Sequence, residues 1–340
     1  MTTANRTGRK VTRRRFLQII GVAGAATAGW KLGLFGTARP LQVAHASLPI
    51  MGTVMNISLY GPDREACQEA LQQTTAVMRG LEGRLSRHQP DSEVAALNRH
   101  GSLTAANPDL LKVLQLATGL SRKTDGAFDI TVLPLLRYQE ELLSGSAADP
   151  DRHHSAHALV GYGGLQVDQD RVSLASPGMG ISLDGIGKGY IVDQGVAALR
   201  QKGFANLYVE AGGDLMVTGN KQGRVPWRIG LRPPRPQAGS PLVTLAVSDR
   251  AVATSGDYLQ AFTADFRQHH IIDPRSGFSP PELASCTVTA ANVAIADGLA
   301  TALMVLGRQA ALDLIESLPD CEAYLVDKAL QPSHTSGFFS

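Results

Sequence analysis

The order of periodic patterns along the chain constrains its fold more than any single motif does. Up to about residue 150 the apolar residues recur mainly at helical spacing, and beyond it short strand-like runs dominate, with helical runs between them. This order is not the regular strand and helix alternation that gives a parallel sheet. It predicts an α+β fold in which mixed or antiparallel sheets pack against helices.

Capping residues mark the start of the predicted helices. Asp63 precedes a long helical pattern, and "SEVAALNR" forms a short one. Asn107 and Pro108 begin another, with proline in the first turn, where its fixed φ angle is tolerated. Two further helices are predicted over residues 187–201 and 293–307.

The strand-like runs are short and separated by turn residues. The predicted strands cover residues 54–61, 165–167, 172–174, 206–209, 227–231, 242–246, 251–254 and 323–326. The stretch 232–241 holds too many prolines for a strand and is predicted to be a hairpin-like connection.

A polar, His-rich stretch over residues 147–156 is predicted to be a surface loop between the two halves. Its neighbourhood contains His153, His154 and His157, a set that invites a metal-site interpretation. No carboxylate or cysteine partners follow at regular spacing, so a solvated loop is favoured over a metal site.

The first 46 residues have the pattern of an export signal. Basic residues from Arg6 to Arg15 precede an apolar stretch rich in Gly and Ala, and "AHA" at Ala44–Ala46 is a small-x-small cleavage pattern. The paired arginines of "TRRRFLQ" are typical of twin-arginine signals. We expect a signal over 1–46, one domain over 47–340 and a periplasmic location. Retention of the signal as a membrane tether is the alternative.

Charge and cysteine content argue against two classes of function. Without the signal, 24 of the 32 basic residues remain against 30 acidic ones, a net charge of −6 with no basic stripe for nucleic acid. The three cysteines have neither CxxC spacing nor a nearby His cluster, which argues against a zinc site or a redox pair.

A glycine-flanked junction between a strand and a helix lies in "SLDGIGKGYIVDQG". Glycines around Asp184 and Lys188 would let backbone N–H groups approach a phosphate closely. The Walker and GxGxxG spacings are absent. A ligand-binding loop and a strained structural turn therefore explain the junction about equally well.

Other polar residues allow both a chemical and a structural interpretation. Asp297 and Thr301 stand four residues apart on one face of a predicted helix, which suits a hard cation but also a helix end stabilised by its dipole. Asp129 in an apolar run needs a partner, as a hydrogen-bond hub or as a ligand contact. Met51 either covers an aromatic ring or fills core. For Asp214, a turn alone is the simpler explanation.

Taken in order, these segments resemble the FAD:protein FMN transferases, the ApbE-type flavin transferase family, which implies that family's α+β fold. The resemblance covers nearly all of the chain beyond the signal, and the co-linear order is more specific than any single motif. The matching segments are "MGT" at 51–53, "DSEVAALNR" at 91–99, "GAFDIT" at 126–131, "DGIGKGY" at 184–190, "GGD" at 212–214, "TSGDY" at 254–258, "HHIIDPRSG" at 269–277 and "ADGLATA" at 296–302.

The resemblance implies that FAD is the substrate and that its FMN half is transferred to a Ser or Thr hydroxyl of a target flavoprotein, with release of AMP. It also implies Mg²⁺ as a cofactor, held by the backbone carbonyl of Gly187 together with Asp297 and Thr301. Such a transfer needs charge neutralisation, positioning and a base.

For the base, the resemblance points to the histidine directly before the apolar pair, which is His270. A neutral imidazole there would take the proton of the incoming hydroxyl. His269 would point to the opposite face of an extended segment. The alternative for His270 is a strand-end residue bonded to the Asp273–Pro274 turn.

The flavin contacts implied by the resemblance are Met51, Phe128, Asp129, Asp184, Lys188, Tyr190 and Ile271. One departure affects this set. Where many members have Asp-Leu-Gly-Gly before the lysine, this chain has Ser182-Leu183-Asp184-Gly185, which displaces the carboxylate by two residues and leaves the role of Asp184 open.

Together with the export signal, the resemblance points to the branch that serves membrane-associated or periplasmic flavoproteins, including accessory proteins of nitrous oxide reduction. Two other functions stay open. One is an FAD pyrophosphatase that gives free FMN and AMP, and the other is an exported flavin-binding carrier without turnover.

Overall fold

The fold is organised around one antiparallel sheet, in a computed structural model that describes residues 41–235 and 243–340. Within these residues the sheet has eight strands in the order β1-β2-β6-β7-β10-β11-β12-β13. These strands are β1 (Gln42–Ile50), β2 (Thr53–Gly61), β6 (Asn206–Ala211), β7 (Asp214–Thr218), β10 (Arg250–Gly256), β11 (Leu283–Ala290), β12 (Glu322–Asp327) and β13 (Pro332–His334). The predicted α+β class is confirmed.

Helices and two small sheets complete the fold. The helices are α1 (Arg64–Leu85), α2 (Glu93–His100), α3 (Pro108–Lys123), α4 (Leu133–Leu143), α5 (Pro150–His157), α6 (Gly187–Gln201), α7 (Val293–Leu306) and α8 (Arg308–Glu316). A three-stranded sheet contains β3 (Ser102–Leu103), β4 (Leu165–Asp168) and β5 (Arg171–Leu174), and a two-stranded one contains β8 (Trp227–Leu231) and β9 (Val243–Val247).

The two faces of the large sheet bury two separate cores. On one face α1, α6 and α7 pack against the sheet and enclose the main core, to which Met216 belongs. On the other face the β8–β9 pair covers a smaller core that includes Leu215, Val217 and Trp227. Successive residues of β7 thus point to opposite cores, as the period of two in a strand requires.

Most predicted helices and strands are confirmed, together with their caps. The Asp63 and Asn107 side chains accept hydrogen bonds from the backbone N–H groups of Ala66 and Asp109. Within the described residues, the strands and α-helices that were not predicted are β1, β3, β7, β11, β13, α4, α5 and α8. All eight residues of β11 are buried, so this strand lacks the alternating pattern that identifies a half-exposed strand.

The predicted surface loop over 147–156 is wrong for most of its length, because α5 begins there at Pro150. The Asp149 side chain accepts hydrogen bonds from the N–H groups of Asp151 and Arg152, and proline occupies the first turn. None of the residues of α5 is buried, so the helix carries no apolar stripe that the sequence pattern could have revealed.

The start of the described chain bears on the predicted signal boundary. The "AHA" pattern at Ala44–Ala46 lies inside β1, which pairs along its length with β2. The basic and apolar parts of the predicted signal lie outside the described residues, as does most of the proline-rich connection after Arg235. None of the described helices combines the length and apolarity that a membrane crossing requires.

Candidate active site

Two helices approach each other closely at the centre of the site. A Cβ atom on Gly189 in α6 would lie 2.6 Å from the backbone oxygen of Val293, so only glycine permits this approach. The Asp193 carboxylate, also in α6, accepts hydrogen bonds from the first two N–H groups of α7, at 2.8 Å from Val293 and 2.9 Å from Ala294. The beginnings of α6 and α7 are therefore fixed relative to each other.

This packing brings Lys188 next to two carboxylates. Its ammonium lies 3.0 Å from Asp214 Oδ2 and 3.5 Å from Asp297 Oδ2, and it donates to the Asp184 carbonyl at 3.3 Å. Burial lowers the pKa of Lys188, but the two carboxylates outweigh this effect and raise it above its ordinary value. Burial, reinforced by the charge of Asp214, raises the pKa of Asp297. Lys188 therefore keeps its positive charge beside two buried acidic side chains.

Oxygen donors gather beside this cluster where α7 faces the glycine junction. Thr301 Oγ1 lies 3.2 Å from Ser255 Oγ, and a Cβ on Gly185 would lie 3.2 Å from Thr301 Oγ1. The Asp297 carboxylate has only long hydrogen bonds, 3.3 Å from the Gly189 N–H and 3.5 Å from Lys188. This small set of oxygen ligands, whose carboxylate forms only long hydrogen bonds among the described residues, fits Mg²⁺. Mg²⁺ typically takes few protein ligands and keeps waters or substrate phosphates in its remaining coordination positions. Among the described residues no cluster of three or more His, Cys, Asp or Glu forms a self-sufficient metal cage.

Several backbone N–H groups of the glycine junction already donate hydrogen bonds within the protein. The N–H groups of Ile186 and Gly187 both donate to the Leu183 carbonyl, at 3.1 and 2.7 Å. Gly189 N–H donates to Asp297. These N–H groups are therefore engaged within the protein, and the cationic side chain of Lys188 is the more direct attraction for a phosphate.

Met51 reaches this junction from the β1–β2 hairpin. A Cβ on Gly187 would lie 3.4 Å from the Met51 Cε atom. Met51 and Gly52 form the hairpin turn with φ angles of 48° and 71°, and the Met51 N–H donates to Glu82 Oε1 at 2.5 Å. A residue other than glycine at positive φ is uncommon and costs about 1 kcal/mol. The turn and its Glu82 contact hold the thioether of Met51 over the site.

The two adjacent histidines have different surroundings. His269 is fully buried, and its Nε2 atom lies 3.3 Å from the Pro280 carbonyl oxygen. His270 is half-buried and its backbone N–H donates to Gln260. Burial lowers the pKa of His270 to about 4, and His269 and Lys188 act in the same direction. His270 is therefore neutral at neutral pH, as a proton acceptor must be. Ile271, the next residue, is buried.

Three of the predicted flavin-contact residues form contacts within the protein. Phe128 is buried, with its ring edge 3.4 Å from the position of a Cβ on Gly185. Asp129 is the hydrogen-bond hub that was one of its two predicted roles, because it accepts from the N–H and hydroxyl of Thr131 and from the N–H of Tyr162, each at 2.7 Å. The hydroxyl of Tyr190 donates to Asp109 at the start of α3. Of the three side chains, that of Phe128 reaches Gly185 of the glycine junction, whereas Tyr190 belongs to this segment but directs its hydroxyl to α3.

Asp184 has a partner that the sequence did not reveal. Its carboxylate is half-exposed and accepts from Arg87 Nε at 2.8 Å, while Arg87 Nη2 contacts Glu140 at 3.0 Å. Burial raises the pKa of Asp184, but the charge and hydrogen bonds of Arg87 outweigh it, so the net pKa is lowered. Asp184 is therefore an anion paired with Arg87.

Two further residues belong to the site: Asp214, for which the sequence favoured a turn alone, and Ser255, which the sequence pattern did not single out. Asp214 is buried, and besides contacting Lys188 it accepts from the Thr254 N–H at 3.3 Å. Its role is therefore more than capping a turn. Both residues lie in quoted motifs, "GGD" and "TSGDY", and that position is the signal that could have identified them.

The chain is similar to known proteins over most of its length. The model of the ApbE family matches residues 51–325. A curated FAD:protein FMN transferase from Vibrio cholerae is 32% identical over 292 residues, covering 84% of this chain and 87% of the relative. One from Haemophilus influenzae is 27% identical over 310 residues, with coverages of 87% and 90%.

Solved structures show the same fold. The flavin transferase ApbE from Vibrio cholerae superposes with a TM-score of 0.79 at 29% identity, covering 88% of this chain and 99% of that one. The apo form of a flavinyl transferase ApbE from Pseudomonas stutzeri gives a TM-score of 0.75 at 30% identity, with coverages of 88% and 96%.

Proposed function

Because the chain belongs to the ApbE family and is an FAD:protein FMN transferase, we propose that it joins the FMN half of FAD to a Ser or Thr hydroxyl of an acceptor flavoprotein and releases AMP. The observation that carries this proposal is the placement of a neutral imidazole, His270, near the half-buried cation Lys188 and the oxygen-bearing side chains of Asp297 and Thr301. These groups match the needs of transfer at a pyrophosphate.

We assign Mg²⁺ to the oxygen donors of α7 and the glycine junction. Asp297 and Thr301 would hold the ion together with the backbone carbonyl of Gly187. When bound, Mg²⁺ supplies neutralisation of the negative charge that collects on the departing AMP. The weakly engaged carboxylate of Asp297 supports this assignment, since a carboxylate satisfied by strong internal bonds would be a poor ligand.

Lys188 orients the dinucleotide in this proposal. Its ammonium is fixed by Asp214, which lies in a different strand, so the charge does not have to be ordered when the substrate binds. Met51 would cover the flavin ring, as its position over the glycine junction allows. The remaining expected flavin contacts are Phe128, Asp129, Asp184, Tyr190 and Ile271, of which Phe128 and Asp184 have the most direct access to the junction.

The transfer step balances without a further reactant. The acceptor hydroxyl oxygen forms a bond to the phosphorus of the FMN half, and its proton passes to the neutral ring of His270. The bond between that phosphorus and the bridging oxygen breaks, and AMP leaves with the bonding electrons. A base in this position contributes about 10²- to 10⁴-fold to such a rate.

We also propose that the protein acts in the periplasm, on an acceptor exposed there. The support is the twin-arginine pattern and the apolar stretch within residues 1–46. The acceptor would be a membrane-associated or periplasmic flavoprotein, and the accessory proteins of nitrous oxide reduction are one group of candidates.

The test combines purified protein, FAD, Mg²⁺ and exported flavoprotein domains encoded near this gene, followed by mass spectrometry of the domain and of the nucleotides. A covalent FMN adduct on Ser or Thr with an equal amount of AMP is expected. Free FMN and AMP without an adduct would instead identify an FAD pyrophosphatase. FAD that stays intact for hours would identify a flavin carrier.

Variants assign the roles within the same assay. His270→Ala is expected to lower the transfer rate about 10²-fold or more while FAD still binds. His100→Ala, an exposed histidine at the end of α2, is the matched control and should transfer at the wild-type rate. Equal rates for the two variants would exclude His270 as the base.

A further inference from the structure

The segment that carries His270 has no regular secondary structure of its own. Between the end of β10 and the start of β11, residues 257–282 form neither helix nor extended ladder, apart from a single bridge between Ala261 and His269. Within the described residues the Nδ1 atom of His270 is buried and has no hydrogen-bond partner. The orientation of the imidazole therefore depends on how the backbone of this segment is held.

Directly after His270 the backbone closes into a tight turn. The N–H of Gly277 donates to the Asp273 carbonyl at 2.8 Å, and the N–H of Asp273 donates to the Phe278 carbonyl at 2.8 Å. The Asp273 carboxylate accepts from the Arg275 N–H at 2.9 Å. Internal bonds of this kind shape the turn but do not fix its place on the protein.

Helix α5 supplies that anchorage through two imidazoles one helical turn apart. His153 Nε2 lies 3.1 Å from the Gly277 carbonyl oxygen, and His157 Nε2 lies 3.0 Å from the Pro274 carbonyl oxygen. The His153 ring also stacks on Phe278 with centroids 4.5 Å apart. A Cβ on Gly277 would lie 2.7 Å from His153 Nε2, so the turn and the imidazole are in close contact.

Helix α4 holds the backbone on the N-terminal side of His270. Gln139 Nε2 donates to the His269 carbonyl at 3.2 Å. The hydroxyl of Tyr138 donates to the Asp149 carbonyl at 3.1 Å and accepts from the Asp149 N–H at 2.9 Å, which ties α4 to the start of α5. We call Gln139, His153 and His157 the α4–α5 clasp. Its three side chains bind backbone carbonyls on both sides of His270.

We propose that His153 and His157 are positioning residues for FMN transfer, because the clasp holds the His270 imidazole in reach of the acceptor hydroxyl. This inference rests on the proposed function. A carbonyl oxygen can only accept, so each imidazole donates from Nε2–H, which is present in the Nε2–H tautomer of the neutral ring and in the protonated ring. The clasp therefore does not need a change of protonation to act.

A displacement of about 1 Å at a reacting group lowers a rate by about 10²-fold. Loss of the clasp should therefore reduce kcat. The KM for FAD should change little, because the residues expected to contact the dinucleotide lie outside residues 269–278, with the single exception of Ile271. A residue that only stabilised the fold would not give this separation between kcat and KM.

The kinetic experiment measures FMN transfer for His153→Ala, His157→Ala and the double variant, with FAD varied at saturating acceptor domain. We expect kcat to fall about tenfold for each single variant and about 100-fold for the double variant, with the KM for FAD within about twofold of wild type. His153→Gln and His157→Gln keep an N–H donor and should recover most of the rate. His154→Ala, an exposed residue of the same helix, is the control.

Two kinetic results would overturn the inference: rates for the alanine variants equal to that of His154→Ala, or a raised KM for FAD with unchanged kcat. A second measurement tests the inference even if a variant folds poorly or if the protein does not transfer FMN. Amide hydrogen exchange of residues 269–278 should be faster in the double alanine variant than in His154→Ala, with the main core unchanged. Equal protection of this segment in the two proteins would refute the clasp whether or not FMN transfer is observed.

Discussion

Lys188 in α6 and Asp214 in β7 form an ion pair of 3.0 Å in which the carboxylate is buried. Removing one partner of such a pair leaves a charge with too little compensation, which typically costs about 3 kcal/mol or more. Lys188 keeps Asp297 as a second, more distant partner, so Asp214→Asn should lower the free energy of unfolding by about 2–3 kcal/mol. Urea denaturation measures this change.

The exposed pair between Arg200 and Asp249 provides the control for this prediction. Pairs of this kind contribute about 0–1 kcal/mol, and asparagine tolerates the positive φ angle of 51° at Asp249. Asp249→Asn should therefore be close to wild type in stability. Equal effects of the two substitutions would mean that the buried pair contributes nothing beyond a surface contact.

Mg²⁺ should stabilise the protein through Asp297 and Thr301. With ADP as a pyrophosphate that cannot transfer FMN, saturation to about 100 times the dissociation constant should add about 2.7 kcal/mol of stability. Asp297→Asn and Thr301→Val should lose this increase in Tm, whereas Thr301→Ser should keep it because the hydroxyl remains. Asp313→Asn in α8 is the matched carboxylate control. An undiminished increase in the Asp297 and Thr301 variants would place the ion elsewhere.

Gly189 should not tolerate even one added methyl group. The Cβ of Gly189→Ala would meet backbone atoms of Val293 and Ala294 at 2.6–2.8 Å, so α6 and α7 would have to move apart. We expect a loss of more than about 2 kcal/mol in the free energy of unfolding. Gly83→Ala in α1 has open space around the new methyl group and should gain about 0.5–1 kcal/mol. A mild effect at Gly189 would contradict the close approach of the two helices.

The neutral state of His270 should make stability depend on pH. Its pKa in the folded protein is about 4, below the unfolded value of 6.5. The folded state therefore binds this proton less readily than the unfolded state. The contribution of the neutral ring is complete above pH 6.5 and is lost as the pH falls toward 4.

The measurement is the difference in unfolding free energy between pH 7 and pH 4.5, which His270→Asn should make smaller than in wild type. A titration of the His270 ring followed by NMR should give a midpoint near pH 4. Parallel pH dependence in the two proteins would show that His270 is not held neutral by its surroundings.

The paired residues of β1 should matter for stability. A chain that starts at residue 47 lacks five β1–β2 residue pairs, including that of buried Ala44, and the contact between His45 and Ser58. Cross-strand pairs contribute about 0.2–1 kcal/mol each, so this chain should unfold with about 1–5 kcal/mol less free energy than one that starts at residue 41. Equal Tm values for the two chains would show that cleavage after Ala46 has no structural cost.

Local contacts were the predictable part of the site. Asp297 and Thr301 share a helix face by spacing alone, and the Asp63 and Asn107 caps follow from local hydrogen bonding. The contact between Lys188 and Asp214 depends on where β7 lies beside α6, and no periodic pattern encodes that position. No periodic pattern encodes the contact of Arg87 either. Its guanidinium, just beyond the C-terminal end of α1, contacts Asp184.

The His-rich segment shows why polar patterns mislead. His153 and His157 form hydrogen bonds to backbone carbonyls of a turn that is distant in sequence, and the His153 ring stacks on Phe278. These contacts, and not an apolar stripe, hold the helix in place. The backbone of Met51 is a second case, since its positive φ angle follows from the two-residue turn between β1 and β2 and is held by Glu82. Both features depend on contacts between parts that are far apart in the sequence.

The separation between Lys188 and Asp297 depends on two contacts between α6 and α7. Gly189 packs against the Val293 carbonyl, and the Asp193 carboxylate caps the first two N–H groups of α7. Neither of these two contacts involves an exposed side chain of α6 or α7. Sequence drift on the outer surfaces can therefore proceed without altering the reaction geometry.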